Sequence, residues 1–154
     1  PLARFLDISA DDAREIVSMH YLFPTEEDPM PYAYDDQNVF AKILRQEIPV
    51  SPIFESDHTL AFPDISPQRA THVLVIPKGP YRCFDHFVQA ASDAEQLDFF
   101  KSVAQIAKQL GVSEASGGNG YRLITNSGPD SHQEVPHFHI HLLGGEPIGP
   151  LTSR

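Results

Sequence analysis

The chain predicts an α+β domain, a five-stranded antiparallel sheet with one long helix and one shorter helix packed on a single face. Three observations carry this. "THVLVIP" is dense in β-branched residues and stops at Pro77. The run from Ser92 to Leu110 repeats its apolar residues at helical spacing. "HFHIHLL" alternates polar with apolar side chains, as a strand does when its two faces meet different surroundings.

In chain order, Ser9 with Asp12 resembles a capping box opening a short helix through "DDAREIVSMHYL". Pro24, Pro29 and Pro31 then forbid regular structure, while Phe23, Tyr32 and Tyr34 give that segment apolar surface to dock on the body. From Asn38, "NVFAKILRQE" puts Val39, Phe40, Ile43 and Leu44 on one stripe opposite Lys42, Arg45 and Gln46. This is the shorter helix, ended by Pro49. "SPIFESDHTLAFPDI" reads as two strands about a turn at Ser56-Asp57, with Ile53 and Phe54 in the first and Leu60 and Phe62 in the second. "THVLVIP" is the third strand, and "KGPYRCFDHF" reads as loop. Ser92 with Glu95 forms a capping box, and Leu97, Phe100, Val103, Ile106 and Leu110 supply the apolar stripe of the long helix. Gly117, Gly118 and Gly120 mark the turn into "GYRLITN", the fourth strand, and "PHFHIHLL" is the fifth.

A chain of 154 residues with 41% apolar content suits one hydrophobic core. The net charge of −10 argues against a nucleic-acid partner, which needs clustered Lys and Arg. That charge is unevenly spread: residues 1 to 36 hold nine acids against Arg4 and Arg14, and the remainder is close to neutral. Residues 1–36 are therefore expected to form an acidic N-terminal extension and 37–154 the folded domain. No run is apolar enough to span a membrane, and no secretory leader pattern opens the chain. The single cysteine, Cys83, agrees with a reducing compartment, so a cytoplasmic location is expected.

Three of the eight histidines fall in "HFHIH". On a strand His137, His139 and His141 project together, about 7 Å apart. Imidazoles so close depress one another's protonation, and a neutral ring nitrogen is a nucleophile whose neighbours can donate to an anion. Zinc is the competing reading, because alternate histidines can share an ion, His72 could add a ligand, and Asp130 or Glu134 could complete the set. Against zinc, the chain has no cysteine pair and no HExxH, and "TNSGPDSHQEVP" looks like a phosphate-handling loop. Neither metal nor cofactor is expected.

The run His137-Phe138-His139-Ile140-His141-Leu142-Leu143 resembles the signature of the histidine triad (HIT) superfamily. "NVFAKILRQEIP", "LAFPDISPQRATHVLVIPK", "GYRLITNSG" and "HQEVPHFHIHLLGG" are similar to its Hint branch, the purine nucleoside phosphoramidase type, over residues 38 to 150. The resemblance implies the HIT fold and a homodimer joined through one continuous sheet. It also implies hydrolysis of nucleoside 5′-phosphoramidates or acyl-adenylates through a nucleotidyl-histidine on His139. By that resemblance His137 and His141 flank the phosphate and His72 buttresses them. Phe40, Ile43, Phe62 and Ile65 sandwich a purine base, Asp64 takes the ribose hydroxyls, and Asn126, Gln133 and Glu134 line the phosphate. Dinucleoside polyphosphate hydrolysis and a nucleotide-binding regulatory role with little turnover are the alternatives. Three positions depart from the pattern: His132 stands where Gly is usual, Pro63 replaces a His, and Glu134 is Ser in some members.

Overall fold

The computed structural model describes residues 32–152. The helix expected after Ser9 and the proline-rich stretch through Pro31 lie outside the described residues. Tyr34–Arg154 form one compact unit.

Helix α1 (Val39–Leu44) starts at Asn38, whose Oδ1 accepts the backbone N–H of both Phe40 and Ala41 at 2.9 Å. It ends before the expected Pro49 stop, because Gln46 turns left-handed at φ 62°. Strands β1 (Phe54–Glu55), β2 (Thr59–Pro63) and β3 (Thr71–Pro77) follow as expected. Helix α2 (Phe84–Ala90) forms where the sequence predicts loop. Its N-cap, Cys83, makes no side-chain capping bond, so no capping signal announced it. Helix α3 (Asp93–Gln109) opens with the anticipated Ser92–Glu95 capping box. Its buried stripe is Phe99, Ser102, Val103, Ile106 and Ala107, whereas Leu97 and Phe100, expected inside, are exposed. Two adjacent phenylalanines offered alternative inward positions, and packing took Phe99.

Gly118 admits no side chain: a Cβ there would collide with the Gly111 carbonyl. It leads into β4 (Tyr121–Ile124), and β5 (Ile140–Gly144) completes an antiparallel sheet of order β1-β2-β3-β5-β4. The last strand therefore inserts beside β3 and leaves β4 at an edge. Among the described residues no helix is long and apolar enough to cross a membrane.

Alternation along the strands splits the interior in two. Ala61, Val73, Val75, Phe138, Ile140 and Leu142 pack with α2 and α3. Leu60, Phe62, Leu74 and Ile76 point the other way and pack with Phe40 and Ile43 of α1. Helices thus cover both faces, a correction to the single covered face expected from sequence. The short α1 could not be assigned a side before the sheet existed.

Candidate active site

On the α1 face, the strand register aligns Phe62, Leu74, His141 and Ile124 across four strands. A cleft of about 520 Å³ opens over this row, within the range of small-molecule sites. A larger groove of about 650 Å³, running past Tyr121, Arg122 and Glu146, contains none of the histidines.

The cleft collects Phe40, Ile43, Phe62, Asp64, Ile65, Asn126, Glu134, His139 and His141 from the sequence-predicted set. Ile65 is fully exposed, so it stands at the rim rather than in a sandwich. Glu134 is also outward, 3.2 Å from His132, which takes a left-handed φ of 59° at the cleft mouth. Gln133 does not line the cleft. Its amide accepts from Gly128 N–H at 3.0 Å and donates to the carbonyls of Arg82 at 2.7 Å and Val135 at 3.0 Å, which builds the loop itself.

The fifth strand begins only at Ile140, so His137, in a bend, and His139 precede it. Alternation nevertheless persists there, with Phe138 and Ile140 in the α3 core and His139 against Phe40, ring centroids 5.1 Å apart. Thr125 Oγ1 donates to the His139 carbonyl at 2.8 Å and pins that segment to the end of β4.

Partners of fixed polarity assign the ring protons. His139 Nδ1–H donates to the His137 carbonyl at 2.7 Å, so its Nε2 holds the lone pair and has no hydrogen-bond partner among the described residues. His72 Nδ1 accepts the Gln68 N–H at 3.0 Å, so its Nε2–H donates to His141 Nδ1 at 2.9 Å. His141 consequently carries its own proton on Nε2. One bare nitrogen and one N–H donor thus belong to neighbouring rings, centroids 5.0 Å apart.

His137, expected to flank a phosphate, does not line the cleft. It is fully buried, its Nε2–H donating to the Pro77 carbonyl at 2.9 Å and its Nδ1 accepting from Tyr34 O–H at 2.6 Å. Strand direction predicted a shared face but not that both of its nitrogens would be taken. Tyr34, expected only as apolar docking surface, and Thr125 are contributors to which the sequence assigned no role in the site. Nothing in the chain pairs the Tyr34 hydroxyl with a histidine 103 residues away, whereas Thr125 lies directly beside the predicted Asn126.

All four rings favour the neutral form. Burial is the main cause throughout, lowering His137 and His141 to about 4 and His72 and His139 below the ordinary 6.5. Mutual repulsion, the cause expected from sequence, is secondary: His139 and then His72 act on His141, after burial. Asp64 opposes the trend at His72, His139 and His141. Its Oδ1 accepts the Ser66 N–H at 2.7 Å and its Oδ2 lies 3.4 Å from His72 Nε2.

Asp64, His72 and His141 bring three potential ligand atoms within 4.8 Å of one another. The donor set does not fit a metal. Because Gln68 N–H occupies His72 Nδ1, the ring proton resides on Nε2, the atom that would have to ligate. The hydrogen bond from His72 Nε2–H orients His141, and the Asp64 carboxylate stands beside the pair, 3.4 Å from His72 and 3.9 Å from His141.

The HIT domain family model matches residues 45–148. An HIT-like protein of Azospirillum brasilense is 46% identical over 125 residues, 81% of this chain and 99% of its own. The purine nucleoside phosphoramidase of Escherichia coli K12 is 40% identical over 119 residues, 77% of this chain and 96% of its own. Among solved structures, an HIT family hydrolase from Clostridium thermocellum superposes with a TM-score of 0.66 at 36% identity, covering 75% of this chain and 96% of that one. On the family match, the identities and the superposition, the chain belongs to the HIT family and is one of its enzymes.

Proposed function

We propose that the protein hydrolyses nucleoside 5′-phosphoramidates or acyl-adenylates, with a purine nucleotide in the cleft and His139 as nucleophile. The observation that carries this reading is the direction of the His139 ring: Nδ1–H is held by the His137 carbonyl, and neutral Nε2 is left bare beside His141. The lone pair on Nε2 attacks the α-phosphorus, the P–N bond of a substrate protonated on nitrogen breaks, and the neutral amine leaves. His141 Nε2–H donates to a phosphoryl oxygen as charge builds there. Water then attacks phosphorus, the P–Nε2 bond breaks, the nucleoside monophosphate departs and the ring returns neutral.

Phe40, Ile43 and Phe62 form an apolar wall suited to a base, and Asp64 at the edge of that wall retains acceptor lone pairs for ribose hydroxyls. The phosphoramidase relative supports the substrate class. A homodimer is part of the proposal: β4 is an open edge carrying half-exposed Tyr121 and Leu123, where a second copy could extend the sheet. The lone buried Cys83 supports a cytoplasmic assignment.

The test is release of amine from a fluorogenic AMP–amine conjugate. Release should disappear in His139→Ala while AMP affinity stays within a few-fold. Rapid quenching should trap a nucleotidyl adduct on His139. Turnover that survives the substitution, or the absence of any adduct, would overturn the proposal.

A further inference from the structure

The bond between Tyr34 and His137 has no part in the hydrolysis described above. Tyr34 precedes the matched family segment and opens the compact unit. It is nonetheless firmly held. The carbonyl of the next residue, Asp35, accepts from Asn38 Nδ2 at 2.7 Å, and the Oδ1 of that same Asn38 caps α1. Arg45 adds a bond to the Asp36 carbonyl at 2.8 Å. The backbone that follows Tyr34 is thereby tied to the helix that walls the cleft.

From that anchor the ring meets His137 edge-on, with centroids 5.7 Å apart and the hydroxyl 2.6 Å from Nδ1. His137 does not line the cleft, yet its main-chain carbonyl is the acceptor that fixes the His139 tautomer. Burying an imidazole with one nitrogen unpaired is unfavourable, because that nitrogen has given up water for no partner. Without the phenol, the fully buried His137 ring would have that incentive to rotate or exchange tautomers, and the carbonyl on its own backbone would shift with it.

We propose that Tyr34 is a positioning residue: its O–H donates to His137 Nδ1, and the bond locks the backbone carbonyl that aims His139. Burial raises the Tyr34 phenol above its ordinary value, so the proton needed for donation is retained at neutral pH. The inference rests on the reading of His139 as nucleophile for its kinetic consequence only. Its structural content stands without it.

The experiment uses the full chain labelled with ¹⁵N-histidine and compares it with Tyr34→Phe, which keeps the aromatic ring. In the wild type, ring nitrogen shifts should report Nε2–H on His137 and Nδ1–H on His139. In Tyr34→Phe the His137 Nδ1 signal should move to that of an unbonded nitrogen, and His139 should become a mixture of tautomers. Turnover of the AMP–amine conjugate should fall about tenfold in kcat with KM within roughly twofold, because Tyr34 does not line the cleft. Unchanged His139 shifts with unchanged kcat in the folded variant would overturn the proposal. Should Tyr34→Phe fail to fold, 3-fluorotyrosine at position 34 replaces it. Its more acidic phenol should displace the His137 Nδ1 shift further toward a strong hydrogen bond, and a shift that does not respond overturns the proposal equally. A protein that releases no amine in any form would refute the hydrolase reading and leave the tautomer result to decide the role of Tyr34.

Discussion

Beneath α2 and α3 the sheet presents Phe138, Ile140 and Leu142 to a closed apolar core, where the Phe138 ring stacks on Phe87 with centroids 4.9 Å apart and tilts against Phe99 at 5.0 Å. One residue out of step, the same segment turns His139 and His141 toward a smaller cluster that α1 only partly fills. The first face is close-packed and dry. The second is apolar enough to suppress charge on its imidazoles and open enough to admit a ligand. Incomplete coverage is thus what separates a site from a core here, since the strands and the alternation are common to both.

The sharpest way to break this contrast is to remove one side chain from each face. His139→Ala should cost roughly a thousandfold or more in kcat and leave thermal stability nearly unchanged. Phe138→Ala, its neighbour in sequence, should cost about 3–5 kcal/mol of stability, read as a lower urea midpoint, because it empties a ring-sized volume from the dry core. A Phe138→Ala protein as stable as wild type would dissolve the distinction between the faces.

Acid should act on the histidine face first. His137 and His141, at about 4 in the folded chain, return to the ordinary 6.5 on unfolding. Across that window the unfolded chain binds more protons, so stability should be lost as pH falls from about 6.5 towards 4 and should be insensitive to these groups above it. A urea midpoint that stays level between those limits would contradict the neutral, buried rings. The smallest effect belongs to the far side: Ser92→Ala removes one half of the α3 capping box and should lower stability by about 1 kcal/mol without changing kcat.

Much of the fold was legible in the chain. Local chemistry announced β3 to the residue, the capping box of α3, and the alternation that separates Phe138 from His139, because each depends on near neighbours. The inward choice of Phe99 over Phe100 was not legible, nor was α2, which lacks a capping side chain. The candidate site divides in the same way. The strand pattern named His139 and His141, the family resemblance named Asp64, Phe40 and Phe62, and the structure brings the five together around one cleft. Ile65 and Gln133 were assigned to a ligand, but one stands at the rim and the other spends its amide on loop carbonyls.

By itself, then, the sequence determined which residues alternate, where α1 and α3 start, and that three imidazoles share one row. Only the tertiary structure decided that His137 is closed off by Pro77 and Tyr34, that the His72 proton points at His141, and that the His139 lone pair is the one left free. The reason is physical. Which nitrogen of an imidazole carries the proton depends on the donors and acceptors that face it, and here those come from backbone and side chains as many as 103 residues away.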